Sequence, residues 1–206
     1  EAIIEKDEYV ATLIHELGRS FLIFGEPQKA IEYYEQSLAI YMALFGDKHP
    51  FVATSYSNIG GAWNSLDQYQ KAIAYQEKAL VIDLALLGDK HPNIAIRYNN
   101  IGSAWRDLGE PAKSIEYLEK ALCIFLASYC DRHLYVSRCY NNIGRAWYDL
   151  GQPQKAIEYY GKSLTIVLSS YGDKHPDVAI SYINIGHVWS DLGQPQNAVN
   201  CLKKSV

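Results

Sequence analysis

The chain has 206 residues, 49% of them apolar and 20% charged, with a formal net charge of −4 and a pI near 5.9. This is the balance of an ordinary soluble globular chain, and no apolar run reaches the roughly 18–20 residues that a membrane-spanning helix needs. An acidic chain has no overall attraction for nucleic acid or an anionic membrane, so neither is expected as a partner.

In chain order, residues 4–8 (IEKDE) read as a worn connector, and the first unit covers about 8–45. It holds ELG at 16–18 and GEPQKAI at 25–31, and ends at GDKHP, 46–50. The second unit, 50–87, places Val52, Tyr56, Ile59, Trp63 and Leu66 at steps of 4, 3, 4 and 3, which is one face of a helix. GDKHP returns at 88–92, and the third unit, 92–129, repeats the stripe as Ile94, Tyr98, Ile101, Trp105 and Leu108. At 130–134 the connector has become CDRHL, and the fourth unit, 134–171, carries Val136, Tyr140, Ile143, Trp147 and Leu150. Its second half keeps a similar spacing at Ile157, Tyr160, Leu164, Leu168 and Tyr171. GDKHP reappears at 172–176, and the fifth unit, 176–206, ends in NAVNCLKKSV, too short for a full second helix.

Everything thus recurs at a step of 42 residues, and each unit reads as two helices. Pro50, Pro92 and Pro176, like Pro27, Pro111, Pro153 and Pro195, suit the first helical turn, where a missing N–H costs nothing. Gly25, Gly109, Gly151 and Gly193 suit the end of the first helix, and Gly46, Gly88 and Gly172 the end of the second. GDKHP is therefore expected as the connector between units, with Gly as C-cap, Pro as first helical residue and polar Asp, Lys and His between. The competing reading, a triplicated Asp/His catalytic or metal site, lacks any partner cluster nearby in sequence. Gly60, Gly102, Gly144 and Gly186, with Ala30, Ala72 and Ala156, are expected where helices cross closely.

The pattern NIGxAWxxLGxPxKAIEYxxKAL, seen at 100–122 and 142–164, resembles a tetratricopeptide repeat. The longer period with GDKHP between units resembles the variant found in kinesin light chains and many bacterial repeat proteins. Local departures are Asp67 where Gly is expected and Gln76 in place of the usual aromatic of the second helix. The resemblance implies an all-α fold, an α-α superhelix in the form of a right-handed solenoid of antiparallel helix pairs, with the first helices lining its concave side. It also implies a scaffold or adaptor that binds protein, not an enzyme. No Gly-rich phosphate loop, activated nucleophile or HExxH-type helix points to catalysis, and no cofactor or metal is expected.

Opposite the apolar stripes lie Thr12, Glu16, Arg19 and Ile23; Thr54, Asn58, Gly61 and Ser65; Ile96, Asn100, Ser103 and Asp107; Arg138, Asn142, Arg145 and Asp149; and Ile180, Asn184, His187 and Asp191. Asn58, Asn100, Asn142 and Asn184 form a row, and an amide that donates and accepts can hold any extended backbone. The resemblance implies this use; the alternative is that they tie one repeat to the next through backbone hydrogen bonds. Arg138, Arg145 and the flanking Arg106 point to an acidic stretch in the partner, unless Arg145 and Asp149 satisfy each other at i, i+4. Tyr148 stands near the groove edge as an aromatic anchor or a packing residue. The Lys residues are not placed for a clamp on a C-terminal carboxylate. Trp63, Trp105, Trp147 and Trp189 belong to the apolar stripe and are expected in the core.

Cys123, Cys130, Cys139 and Cys201 have no CxxC or zinc-type spacing and read as buried or half-buried small hydrophobes in a reducing, cytoplasmic compartment. A chain that opens on Glu reads as a piece of a longer protein. A second functional reading is a self-associating array, joined through exposed terminal repeats.

Overall fold

The computed structural model describes residues 2–129 and 131–204. Those residues form helices α1 (Ala2–Ile23), α2 (Pro27–Phe45), α3 (Pro50–Asn64), α4 (Tyr69–Leu87), α5 (Pro92–Asp107), α6 (Pro111–Ser128), α7 (Leu134–Asp149), α8 (Pro153–Tyr171), α9 (Pro176–Asp191) and α10 (Pro195–Lys204). Residues 4–8, expected as a connector, lie inside α1: without the Gly and Pro of the other connectors, nothing in them stops a helix. No helix among the described residues is long and apolar enough to cross a membrane.

Two compact units emerge, residues 1–108 and 109–206. In unit 1, short turns fold α2 back on α1 and α4 back on α3, while α2 packs on α3 and α4 on α5. In unit 2, α6 packs on α7, α7 pairs with α8, α8 packs on α9, and α9 pairs with α10.

The connector is more specific than Gly, Pro and something polar. His49, His91, His133 and His175 are the N-caps of α3, α5, α7 and α9, each in extended backbone. Each ring accepts at Nδ1 from the backbone N–H two residues on, at 3.3, 3.1, 3.2 and 3.2 Å. One of the four orphan donors of every such helix is satisfied in this way. Three of the rings also lie against the aromatic that closes the preceding helix, with centroids 4.3 Å apart for Phe45–His49, 4.1 Å for Tyr129–His133 and 5.1 Å for Tyr171–His175. The histidine thus satisfies one helix start and packs against the end of the helix before it.

Small residues sit where helices cross. A Cβ on Gly144 would lie 2.8 Å from the Tyr160 ring, and one on Gly60 3.1 Å from the Ala72 carbonyl oxygen. At the other departure, Asp67 adopts φ +56°, the left-handed conformation its glycine counterparts use, and its carboxylate accepts from the Tyr69 hydroxyl at 2.7 Å.

The stripe residues Ile59, Ile101 and Ile143 are fully buried, each stabilising by about 1.5–3 kcal/mol relative to exposure. Trp63, Trp147 and Trp189 are half-buried against the core clusters. The lysine of the QKAI stretches lies over the face of a stripe tryptophan: Lys71 Nζ is 4.0 Å from the Trp63 ring centroid and Lys155 Nζ 3.8 Å from that of Trp147. This cation–π contact explains why Lys recurs there. Gln76, the other departure, is buried and exchanges hydrogen bonds with Ser57, giving Nε2 to its carbonyl (2.9 Å) and accepting its hydroxyl (3.1 Å).

The cysteines divide. Cys139 is fully buried, donates to the Leu118 carbonyl at 3.3 Å, and is pushed up to about 12 by burial. Cys201 is half-buried, but Cys123 is exposed, against expectation, because it faces away from the stripe of α6 that packs on α7. Cys130 lies outside the described residues.

Candidate functional site

In unit 1 the first helices α1, α3 and α5 present one face, with two adjoining cavities. The larger, about 680 Å³, lies between α1, α2 and α3 and is lined mainly by apolar and aromatic groups, Leu22, Ile23, Tyr34, Tyr41 and Phe51, with Thr12, His15, Arg19, Thr54 and Asn58 among the rest. The smaller, about 260 Å³, continues along α3 and α5 past Asn58, Asn64, Asn100 and Ser103. Leu22 and Asn58 border both.

Asn58 is held from behind. Its Nδ2 donates to His15 Nε2 at 2.7 Å, His15 Nδ1 faces the Ser37 hydroxyl at 3.4 Å, and that hydroxyl donates to the Tyr34 carbonyl at 2.9 Å. One neutral tautomer, protonated at Nδ1, satisfies the whole chain. Burial lowers the His15 pKa, favouring that neutral form; Glu16 opposes the shift and Arg19 adds to it. Arg19 itself is exposed and pairs with Glu16 at 3.5 Å. Arg106 donates to Asp107 at 2.5 and 3.1 Å, and its side chain is mostly buried.

In unit 2 the corresponding face belongs to α7 and α9. Arg138 reaches across to Asp177 at 3.4 Å, Tyr148 donates its hydroxyl to Asp191, and Asn184 Nδ2 donates to Asn141 Oδ1 at 3.1 Å. The hydrogen bond to Asp191 raises the Tyr148 pKa. Arg145, Asn184 and His187 line a cavity of only about 180 Å³, with Tyr148 and Asp149. Arg145 is exposed and makes no ion pair among the described residues, so its pairing with Asp149 at i, i+4 does not form. Asn142 is half-buried on the same helix. No group of three or more His, Cys, Asp or Glu that could hold a metal occurs among the described residues.

The tetratricopeptide repeat profile matches residues 9–80, 64–127, 98–169 and 135–206 in overlapping copies. The chain belongs to the tetratricopeptide repeat family. Similar tetratricopeptide structures include the nearly identical TPR-like repeats of a kinesin light chain candidate from Podosopora anserina, 24% identical over 97% of this chain and 93% of that one, with a TM-score of 0.81. BtubC (BKLC) from P. vanneervenii is 21% identical over 98% and 89%, with a TM-score of 0.78. MamA from Desulfovibrio magneticus is 18% identical over 95% and 92%, with a TM-score of 0.65. At such identities the likeness is one of fold: an all-α tetratricopeptide superhelix built of helix pairs. No curated protein matches the chain in sequence.

The tetratricopeptide pattern leads to the amide row but not to what the amides touch. Asn58 and Asn184 each bind the side chain 43 residues earlier, His15 or Asn141, so their ties between repeats run through side chains and not, as one reading had it, through the backbone. The unrecognised residue is His15. Its counterparts one, two and three steps on are Ser57, Asn99 and Asn141, so no recurrence marks it.

Proposed function

We propose that this tetratricopeptide chain is a non-enzymatic interaction module, a scaffold or adaptor that holds an extended peptide segment of a protein partner on the face lined by its first helices. The observation that carries this reading is the pair of adjoining cavities in unit 1, with Asn58 between them and Asn100 further along. Asn58 gives Nδ2 to His15, and its Oδ1 has no partner among the described residues, so an acceptor is left for a passing backbone N–H. In unit 2 Arg145, which makes no ion pair among the described residues, offers a carboxylate in the partner a charge to meet, while Arg138 there and Arg106 in unit 1 are already engaged. A reducing, cytoplasmic setting belongs to the same reading, since Cys123 is exposed and in no disulfide.

The test is selection of random displayed peptides on the immobilised protein, followed by affinity measurement with Asn58→Ala/Asn100→Ala and a thermal melt to check folding. A folded variant should bind selected peptides about tenfold more weakly, the size of one or two lost hydrogen bonds. Equal binding by the variant would remove the amides from the site.

Self-association remains as a second reading because of one observation. Val10, Leu13 and Leu17 on α1 are 39, 47 and 48% exposed, whereas Val52, Ser55 and Ile59 at the same places on α3 are fully buried under α2. A second copy covering this stripe would give a mass that rises with concentration in light scattering; a constant monomer mass would end that reading.

A further inference from the structure

The cavity between α1, α2 and α3 differs from the rest of the face in size and in chemistry. At about 680 Å³ it falls within the roughly 300–1,000 Å³ usual for pockets that enclose a ligand, while its neighbour on the face, at about 260 Å³, does not. Its polar groups are mostly taken. The Thr12 hydroxyl donates to the Glu8 carbonyl and lies 3.1 Å from the Tyr41 hydroxyl, both His15 nitrogens have partners, and Arg19 is paired with Glu16. A polar side chain entering there would lose water and find little to replace it.

The lining groups with no hydrogen bond among the described residues include Asn58 Oδ1, the Thr54 hydroxyl on the exposed rim, and the hydroxyl of Tyr34, a residue only 1% exposed. Burial raises the Tyr34 pKa, so this hydroxyl stays neutral and keeps its proton to donate. An acceptor on α3 and a donor on α2, both lining one cavity, can meet the N–H and C=O of a main chain.

Resting on the peptide-binding reading above, we propose that this cavity is an anchor pocket that takes one bulky apolar side chain of the bound peptide, whose adjacent main-chain groups meet Asn58 Oδ1 and the Tyr34 hydroxyl. The pocket, and not the arginines of unit 2, then sets which sequences are chosen. Its occupant enters past Thr54, an exposed side chain on α3 that plays no part in the core.

The experiment is a positional scan of peptides selected on the full chain, repeated on Thr54→Trp, which fills the pocket from its rim. On the parent protein one position should demand Leu, Ile, Met, Phe, Tyr or Trp, and on Thr54→Trp that demand should vanish with about a tenfold loss of affinity, as for a buried anchor. Should Thr54→Trp misfold, imidazole NMR of His15 in the parent protein answers the same question, because a peptide in the pocket must shift that resonance. Peptides that bind with no apolar preference, keep their preference on Thr54→Trp, or leave His15 unshifted would overturn the pocket while sparing the groove. If no peptide is selected at all, the groove reading falls and the pocket falls with it.

Discussion

The faces of the two units are built from the same repeat but differ in what crosses them. Three steps of 42 residues carry Thr12 onto Arg138, Leu22 onto Tyr148, Ile23 onto Asp149, Phe51 onto Asp177 and Ser65 onto Asp191. In unit 1 the pairs Thr12/Phe51 and Leu22/Ser65 have no charges or long polar arms to join, and the space between α1 and α3 stays open and apolar. In unit 2 the same places hold Arg138–Asp177 and Tyr148–Asp191, which strap α7 to α9 and leave a small polar cavity. A handful of substitutions on a common frame thus separates an open face from a closed one.

The interiors differ too. Where unit 2 has the buried Val167 on α8 and the buried Ser181 on α9, unit 1 has Asp83 of α4 and Arg97 of α5, joined at 2.8 Å with side chains 6 and 12% exposed. Removing one partner of such a buried pair strands a charge, so Asp83→Ala should cost about 3–5 kcal/mol in denaturant unfolding. The double change Asp83→Val/Arg97→Ser copies unit 2 and should restore most of that loss. If Asp83→Ala alone is harmless, the pair is not buried as described.

Glycine crossings give the next effect. The Gly144→Ala methyl would press on the Tyr160 ring at 2.8 Å, whereas in Gly186→Ala the nearest atom, Leu202 Cγ, is 3.3 Å away and belongs to a half-exposed side chain on the short last helix. Gly144→Ala should therefore destabilise by about 1–3 kcal/mol. Gly186→Ala should be close to neutral, since the helix propensity of Ala returns up to about 1 kcal/mol. Equal melting shifts for the two would contradict this ordering.

The legible part of the molecule was what recurs. Gly and Pro at fixed places marked the helix ends, and steps of 4 and 3 marked the buried stripes, because backbone conformation and burial act alike in every unit. His15, Gln76 with Ser57, Asp83 with Arg97, and Arg138 with Asp177 all lie where the units differ. Their partners stand 14 to 43 residues away on another helix, and no one-dimensional period brings them together. The N-cap histidines were visible as a motif, yet only geometry distinguishes a ring that accepts a backbone N–H from a merely polar spacer.

The tie behind the amide row makes the units differ in their response to acid. His15 is packed by α2 and α3, which present Tyr34, Ser37, Tyr41 and Asn58, and its own helix adds Glu16 and Arg19. Its folded pKa lies below the unfolded value of 6.5, so the unfolded chain binds the extra proton more readily. The stabilisation from neutral His15 is complete above 6.5 and is lost as pH falls from there through the folded pKa. His15→Asn reproduces the Asn141–Asn184 arrangement of unit 2 and should flatten that part of the stability–pH curve. A slope unchanged in His15→Asn would assign it to other groups.

The smallest expected effect on stability is the most informative about the comparison. Arg138 is 57% exposed in its ion pair and Tyr148 is 37% exposed, and such surface contacts contribute about 0–1 kcal/mol. Arg138→Thr with Tyr148→Leu gives α7 the residues that α1 carries, and the melt should hardly move. If the straps are what closes the unit 2 face, this variant should gain binding to peptides selected on unit 1, because an apolar gap would open between α7 and α9 beside Asn184. A stable variant that gains nothing would place the difference deeper, in Val167 where unit 1 has Tyr41 and in Asn141 where it has His15. The open face would then depend on the whole aromatic wall rather than on the absence of straps.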